Sequence, residues 1–578
     1  MIQKISFENY KAFEKGEIKL KPITILLGAN SVGKSSIINL LLMLQQTANS
    51  STYKSALRLH GENVSMGECE NIFRQKDTTR NISIEFEFKS KELKDLLEST
   101  LFEELIYHYC YPIAYMSRHL DKTDIQQINV NQFVSPNGEI NPDIYYQRKK
   151  LFQELRSAID RLNIDSELNT LDLFKYWIKQ IDDTRNSSKA IDTLYDFLSS
   201  ARSLIKEDIF CLFVELCYVE SKRKEKVLKI QGMKILQGDN EILSISFEHS
   251  TGKKTTYSSL SIKTGLLHQG SPRDLLDKKA KMEFSELISY ESTIFSWLPH
   301  FKNQRDFFLD LRKEEYSIVT KTISKVIDTA LSAVRSNFTR ESVNHISPLR
   351  AHPRRFYFLD KANINTVLDT LDGNSLAEVL KENSSVKESV NNWLSRFGLK
   401  VDVSTIQDVV HQLKIHQHTL DLDITDVGFG ISQILPIIVQ GFLSFRDSLT
   451  MVEQPEIHLH PKMQAELADL FIDIISGNAA SPKRDKSKRT NVQKHLLIET
   501  HSEYLLKRLM RRINEGVISS DQVAIYFIEP PKNEGAPSLI VEKEISKEGG
   551  FEWPKDFYEG EIKLDEHNFI KQLFVTRK

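Results

Sequence analysis

The sequence predicts an α/β protein built on a parallel β-sheet, with mainly helical insertions in the middle of the chain. A continuous apolar run at 23–27 (ITILL) is typical of a fully buried strand, and apolar residues at helical spacing follow it from Ser35 to Gln46. Strand and helix patterns alternate again over about 343–545, which indicates a parallel sheet with crossover helices.

The first part of the chain alternates in the manner of strands. A strand is predicted at Ile2–Phe7, with Glu17–Leu20 as its hairpin partner, and a further strand at Ile82–Phe88. The middle of the chain then falls into three blocks, helical over about 91–223, extended over about 227–267 around a GDN turn, and helical again over about 272–342.

In the last third we expect three strands and two helices. The strands are Ser448–Val452, Lys494–Ile498 and Gln522–Ile528, and the helices are Lys462–Ile475 and Glu503–Asn514. Asp421 and Asp423 resemble a two-metal carboxylate pair, but the alternation of LDLD favours a strand there.

Composition excludes several classes of protein. A chain of 578 residues suggests three or four domains, at roughly 150 residues each. The 77 Lys and Arg residues nearly balance the 79 Asp and Glu residues, which excludes a polybasic nucleic-acid coat. The 40% hydrophobic and 27% charged fractions are those of a folded soluble protein.

Cysteine usage and hydropathy indicate the compartment. Four cysteines at irregular spacing fit neither a disulfide framework nor a CxxC zinc site, and they suit a reducing cytosol. The N-terminal residues lack an apolar signal core, and the longest apolar run, 431–445, is too short to span a bilayer. We therefore expect a cytoplasmic protein without a membrane partner.

The segment Gly28–Ser35 (GANSVGKS) fits the phosphate-loop pattern G-x-x-x-x-G-K-[ST]. Its glycines let successive N–H groups turn toward a phosphate, Lys34 would reach the terminal phosphates, and the Ser35 hydroxyl would hold Mg²⁺. The alternative is a structural glycine turn, but a buried strand before the loop and an apolar helix after it favour nucleotide binding. The candidate phosphate-loop residues are Gly28, Asn30, Ser31, Gly33, Lys34, Ser35 and Ser36.

Three later segments carry side chains that a Mg²⁺-bound nucleotide requires. A buried strand ends at Glu453, the candidate metal acid together with Ser35, and another ends before His501, which could contact a γ-phosphate or the attacking water. Gly430 and Ser432 open an apolar helix whose start could bind an anion. Because open α/β sheets place ligands at strand C-terminal ends, these segments can converge, although each alone has a structural explanation.

In order and spacing, these motifs resemble the ABC-type ATPase heads of the SMC/RecF/OLD class, a P-loop NTPase fold. VGFGISQILP is similar to that family's signature, EQPEIHLHPKMQ to its Walker B and D-loop, and ETHSEYLL to its switch-histidine segment. Three more stretches are similar to a bacterial subgroup: LRLHGENVSMGECENIF, ISPLRAHPRRFYF and GGFEWPKDFYEGEI. The layout most resembles the PtuA family of Septu-type antiphage ATPases, including retron-associated versions.

The resemblance implies a division of the chain into a split head with inserted segments. In order, we expect the N-terminal part of the head with Walker A at 1–90, a helical insertion at 91–225, a β segment returning to the head at 226–270, a second helical insertion at 271–342, the C-terminal part of the head with signature, Walker B and switch histidine at 343–560, and a tail at 561–578.

The sequence departs from the family at the catalytic position. Most such heads end Walker B in Asp-Glu, whereas this chain has Glu453 and Gln454. A glutamine orients a water but takes no proton. Either Glu456 or His501 assists the attack of water, or hydrolysis is slow. The alternative is that Glu-Gln is the subgroup's usual pair at this position and turnover is normal.

The resemblance also implies partners. In such heads the signature of one subunit completes the phosphate site of another, so two chains, as a homodimer or within a higher oligomer, would enclose ATP and Mg²⁺. The Septu-type resemblance implies a separate HNH-type effector nuclease of the PtuB kind, and the retron-associated versions add a reverse transcriptase and retron DNA.

The sequence leaves other functions open. A self-contained nuclease like the OLD proteins would need a further domain, yet only 77 residues follow His501 and they contain no DxD. A DNA repair or recombination clamp of the RecF/SMC type would lack long coiled-coil arms, and a scaffold with structural ATP would explain Gln454. Nucleic acid could contact the basic segment 481–490 with Lys507, Arg508, Arg511 and Arg512, or these charges could be solvated.

Overall fold

A computed structural model describes most of the chain. The described residues are 2–50, 55–105, 188–220, 226–251, 255–267, 273–276, 278–287, 293–296, 317–358, 368, 373–407, 410–477 and 494–553. Two compact units are present. The first comprises Met1–Ser51, Leu57–Phe86 and Arg335–Lys578, and the second comprises Thr52–Ala56 and Glu87–Val334.

The strands and helices are numbered here in chain order. The strands are β1 (Ile2–Tyr10), β2 (Phe13–Lys19), β3 (Ile23–Gly28), β4 (Ile82–Lys89), β5 (Ile209–Glu220), β6 (Lys226–Gln237), β7 (Asn240–Thr251), β8 (Thr255–Thr264), β9 (Arg273–Asp274), β10 (Val343–Ile346), β11 (Tyr357–Phe358), β12 (Leu399–Gln407), β13 (Val410–Gln417), β14 (Leu420–Asp423), β15 (Leu449–Glu453), β16 (His495–Glu499), β17 (Val523–Glu529) and β18 (Leu539–Lys543). The helices are α1 (Lys34–Ala48), α2 (Lys91–Asp95), α3 (Ser188–Leu204), α4 (Lys278–Leu287), α5 (Ile318–Arg335), α6 (Asn374–Glu382), α7 (Ser384–Leu394), α8 (Phe429–Leu443), α9 (Pro461–Ser476) and α10 (Glu503–Asn514).

The first unit is built on a six-stranded sheet in the order β10-β15-β16-β3-β17-β18. Neighbouring strands run parallel except the β17–β18 pair, which is antiparallel. The register sets Glu453 opposite Glu499, and Glu499 opposite Leu26. The predicted α/β fold with a parallel sheet is therefore confirmed, and the carboxyl ends of β3, β15 and β16 lie at the same edge.

Apolar helices cover this sheet. Helix α8 is buried along much of its length, with Ile434, Leu435 and Ile438 fully enclosed. A Cβ on Gly441 of α8 would lie 2.3 Å from Cδ1 of Ile474 in α9, so the glycine permits the close approach of the two helices.

A smaller antiparallel sheet in the same unit leads into α8. Its order is β11-β13-β12, and β14 also pairs with β13. Strand β14 contains Asp421 and Asp423, so the strand predicted there is confirmed. Asp423 accepts hydrogen bonds from Thr425 and Gln412, while Asp421 contacts His416. Local partners thus account for both carboxylates.

The second unit contains an antiparallel meander, β5-β6-β7-β8-β9. The helical prediction over 91–223 was wrong at Ile209–Glu220, where alternate residues are buried as in a strand. The strands of 226–264, which we expected to return to the head, lie in the second unit.

The basic face of α10 is largely paired with acids. Nε of Arg508 lies 2.9 Å and Nε of Arg512 lies 2.6 Å from the carboxylate oxygens of Asp469 in α9. Burial by itself raises the pKa of Asp469, but the hydrogen bonds and charges of Arg512 and Arg508 outweigh it and lower that pKa. Arg508 and Arg512, two of the four α10 cations for which nucleic-acid contact and solvation were both left open, are therefore held within the unit. The basic segment 481–490 lies outside the described residues.

No helix in the described parts of the chain is both long and apolar enough to cross a membrane.

Candidate nucleotide-binding site

The loop between β3 and α1 has the backbone of a phosphate loop. Gly28 has φ 145° and Gly33 has φ 115°, and Ser31 between them is also left-handed at φ 64°. A Cβ would lie 2.6 Å from the Ile528 carbonyl oxygen at Gly28 and 2.8 Å from the Phe13 ring at Gly33. Both positions therefore require glycine, for backbone conformation as well as for space.

Lys34 lies under this loop and is almost fully buried. Its Nζ donates to the carbonyl oxygens of Gly28 at 3.0 Å and Ala29 at 2.7 Å, and lies 3.7 Å from Oε1 of Glu499. Burial lowers the pKa of Lys34, while the charge and hydrogen bond of Glu499 oppose that effect. Asn30, Ser31 and Ser35 are exposed around it, and Ser36 is half-buried.

Glu499, the last residue of β16, faces the same loop. The Ser35 hydroxyl donates to its Oε2 at 3.3 Å, and only 4% of its surface is exposed. Burial raises the pKa of Glu499; Lys34 opposes this, and the charges of Glu453 and Glu456 add to it. The sequence motifs predicted no role for this acid. The sequence feature that could have indicated a role for Glu499 is its position at the end of a strand, two residues before His501.

Glu453, the predicted metal acid, has a different partner. Its Oε1 lies 2.7 Å from Nε2 of His345, which stands on the neighbouring strand β10. Arg350 supports the turn after Glu453 by donating from Nη2 to the carbonyl oxygens of Glu453 at 2.8 Å and Gln454 at 3.3 Å. His345 was missed by the sequence analysis because only the pairing of β10 with β15 brings it here.

Arg350 is 6% exposed, and burial lowers its pKa to about 10, opposed by the charges of Glu456 and Glu453. Its side chain therefore acts inside the unit, where it supports the turn after Glu453.

Glu456 holds the histidine segment in place. Its Oε1 accepts from the His501 backbone N–H at 2.6 Å, and its Oε2 accepts from the Thr500 hydroxyl at 2.8 Å. Burial raises the pKa of Glu456, and these hydrogen bonds oppose that effect. Because both oxygens are engaged, the geometry gives Glu456 a positioning contact, whereas the sequence offered it as one of two candidates for an assisting group.

His501 has an unused ring nitrogen. Its Nε2 is buried and has no hydrogen-bond partner among the residues that the structure describes. Burial lowers the pKa of His501, and the charge of Lys34 lowers it further, so the neutral ring is favoured near pH 7. A neutral imidazole in this position can donate to a phosphate oxygen or accept from a water.

Gln454 has a left-handed backbone, with φ 44°, and its N–H donates to the Glu499 carbonyl oxygen at 2.8 Å. The residue next to Glu453 is thus tied by its backbone to the strand that carries Glu499.

The start of α8 contains the predicted signature residues. A Cβ on Gly430 would lie 2.7 Å from the carbonyl oxygen of His458, so this glycine allows the helix to touch the turn before α9. Ser432 is only 5% exposed and borders a small cavity with Pro436. Ser432 is therefore largely enclosed within its own unit, and its contact with a phosphate bound by a second copy stays a prediction. Gly428, at the helix start, is exposed.

Within the described ranges, no group of three or more His, Cys, Asp or Glu side chains could hold a metal ion by itself. A Mg²⁺ ion here would need oxygens from the nucleotide and from water, which is its usual mode in phosphate sites. Ser35 and the neighbouring carboxylates fit that requirement.

Three comparisons relate this chain to known proteins. A family model described as "AAA ATPase domain" matches residues 1–506. The endonuclease GajA of Bacillus cereus (strain HuB5-5) is 27% identical over 206 residues, 33% of this chain and 26% of that protein, so the chain matches about a quarter of its length. The SMC head domain from Thermotoga maritima, a solved structure, aligns at 8% identity with a TM-score of 0.30, covering 93% of this chain and 98% of that one.

Lys34→Ala should weaken ATP binding by at least about 100-fold, because a charge-assisted contact to phosphate is worth roughly 3 kcal/mol. Titration calorimetry with ATP and Mg²⁺ measures the change. Lys15→Ala is the matched control, since Lys15 is exposed and pairs with Glu8 at 3.4 Å. Binding of equal strength in the Lys34 variant would contradict a phosphate-binding role for this loop.

Proposed function

Because this chain belongs to the AAA ATPase domain family, we propose that it binds ATP with Mg²⁺ at the Gly28–Ser35 loop, hydrolyses it slowly, and serves a bacterial antiphage defence system as the component that senses infection and controls a separate effector nuclease. The observation that carries the proposal is the convergence of Lys34, Ser35, Glu499 and His501 at one edge of the sheet.

Each of these residues has a task in ATP binding. The backbone of the phosphate loop surrounds the phosphates, and Lys34 turns from the Gly28 and Ala29 carbonyls toward the terminal phosphates. Bound Mg²⁺ would neutralise phosphate charge, held on the protein side by Ser35 and a strand-end acid. His501 Nε2 supplies the polar contact to the γ-phosphate or to the water that attacks it.

Slow hydrolysis is supported by the carboxylates around the site. Both carboxylate oxygens of Glu456 accept hydrogen bonds from the histidine segment, and Glu453 is paired with His345. Gln454 cannot accept a proton. General-base assistance is worth roughly 10²–10⁴-fold in rate, so its lack would leave a long-lived ATP state.

Gln454→Glu should raise the rate of phosphate release by roughly 10²-fold, since it puts a proton acceptor at the position beside Glu453. Single-turnover phosphate release measures the chemical step. The same change combined with Lys34→Ala should abolish the gain, which would locate it at this loop. An unaltered rate in the single variant would mean that another group or step controls turnover.

A paired state is supported by the exposed start of α8. In two copies related by a two-fold axis, the N–H groups at this helix start could meet the phosphates bound by the other copy. ATP would favour the pair only through its higher affinity for that state.

Gly428→Arg should prevent ATP-dependent pairing and leave ATP binding by the single chain intact. A Cβ at Gly428 meets nothing within 4 Å, so the added side chain projects from the surface without disturbing the fold. Sedimentation velocity with and without ATP gives the readout, and Glu388→Arg, at an exposed position of α7, is the control. Unchanged ATP-dependent sedimentation of the Gly428 variant would refute the shared site.

The defence role is supported by the three segments similar to the bacterial subgroup. One of them, 57–73, forms hydrogen bonds with the C-terminal part of α1. Asn63 Nδ2 donates to Gln45 Oε1 at 2.9 Å, and the Val64 N–H donates to Gln46 Oε1 at 3.3 Å. The subgroup segment therefore belongs to the unit that carries the phosphate loop. The similarity to a protein named an endonuclease is consistent with a nuclease in the same system.

Purified chain should not cut DNA with ATP and Mg²⁺, but it should change the activity of the HNH-type effector nuclease that we propose as its partner, in a manner that depends on ATP. Lys34→Ala is the control and should remove the ATP dependence. Cutting by the chain alone would favour a self-contained nuclease. ATP-dependent retention on DNA, with no effect on the nuclease, would favour a repair or recombination clamp.

A further inference from the structure

We infer that Glu499, rather than Glu453, is the acid by which this chain recognises the Mg²⁺ of Mg²⁺-ATP, and that it disfavours ATP without the metal. The inference rests on the proposed binding of ATP at the Gly28–Ser35 loop.

The position of Glu499 in the sheet is the first argument. Strand β16 lies between β15 and β3, and the register sets Glu453, Glu499 and Leu26 in one row across the strands. Glu499 is therefore one strand closer than Glu453 to the strand from which the phosphate loop begins. Neighbouring strands lie about 4.8 Å apart, so the backbone of Glu499 is nearer to the phosphate loop than that of Glu453 by one such step.

The contacts of the two acids are the second argument. Glu499 touches both loop residues that handle a Mg²⁺-bound phosphate, the Ser35 hydroxyl at 3.3 Å and the Lys34 ammonium at 3.7 Å. Glu453 lies 2.7 Å from His345, and the carbonyl oxygen of the same residue is held by Arg350. Its contacts join β15 to the segment around β10, which gives Glu453 a positioning role.

The charge of Glu499 is the third argument. A carboxylate beside Lys34 stands close to where the phosphates of ATP must approach, so without a metal it repels them and competes for the lysine. A divalent cation reverses the sign, because one ion attracts the carboxylate and the phosphate oxygens together. The same acid thus penalises bare ATP and favours Mg²⁺-ATP.

The test compares ATP affinity in Mg²⁺ with ATP affinity in EDTA, by calorimetry on the full chain. In the native protein, Mg²⁺ should tighten ATP binding strongly. Glu499→Gln should bind ATP more tightly than the native protein in EDTA and about 10-fold more weakly in Mg²⁺, because a charged hydrogen-bond or metal partner is lost. The Mg²⁺ preference should therefore collapse in this variant and persist in Glu453→Gln.

A second readout follows the metal itself. Mn²⁺ electron paramagnetic resonance measures the affinity of the protein–ATP complex for the ion; it should fall in Glu499→Gln and stay near native in Glu453→Gln. Glu499→Asp keeps the negative charge on a side chain that is one methylene shorter, so this variant should retain a weakened preference for Mg²⁺. It replaces Glu499→Gln in both measurements if the glutamine variant does not fold.

The outcomes are separable from those of the proposed function. Loss of metal preference in Glu453→Gln with retention in Glu499→Gln would overturn the inference, as would a fully native preference in Glu499→Asp. Failure of the native chain to bind ATP in either condition would instead contradict the proposed function.

Discussion

The site depends on keeping three acids and two cations together at the carboxyl-terminal edge of one parallel sheet. An unpaired buried charge is costly, so each must have a partner. Glu499 has Lys34 and Ser35, Glu456 has the His501 N–H and the Thr500 hydroxyl, and Glu453 has His345. Arg350 adds positive charge behind Glu453 and Glu456. The result is a site whose charges are balanced by neighbours from distant parts of the chain.

The partners in this balance come from strands that are far apart in the sequence. The phosphate loop follows β3, but the acids come from β15 and β16 and the histidine partner from β10. Parallel strands end at one edge whatever their order in the chain, so long segments can be inserted between them without separating the site. The second unit, Glu87–Val334 with a short earlier piece, is such an insertion.

The sequence predicted the bounds of an element well where hydrophobic periodicity and a backbone requirement coincide. The strand and helix around the phosphate loop and the helix Glu503–Asn514 were predicted almost residue for residue, because continuous apolar runs and amphipathic spacing are strong patterns. The roles of acids were harder to predict. Strand β16 was predicted to end at Ile498 but ends at Glu499. Because of that one-residue difference, the sequence did not indicate that Glu499 faces the phosphate loop. His345 and the burial of Ser432 depend on which strands and helices become neighbours, which no local pattern records.

The glutamine after Glu453 follows from the same electrostatics. Gln454 has a left-handed backbone, which costs a non-glycine residue free energy, and its N–H is bound to the Glu499 carbonyl oxygen. A glutamate at this position would be a fourth carboxylate next to Glu453, Glu456 and Glu499. Mutual repulsion already raises the pKa of Glu499, after burial as the main cause. A neutral amide avoids further repulsion while keeping polar atoms that orient a water. We therefore interpret Gln454 as the residue that lets three acids share this edge.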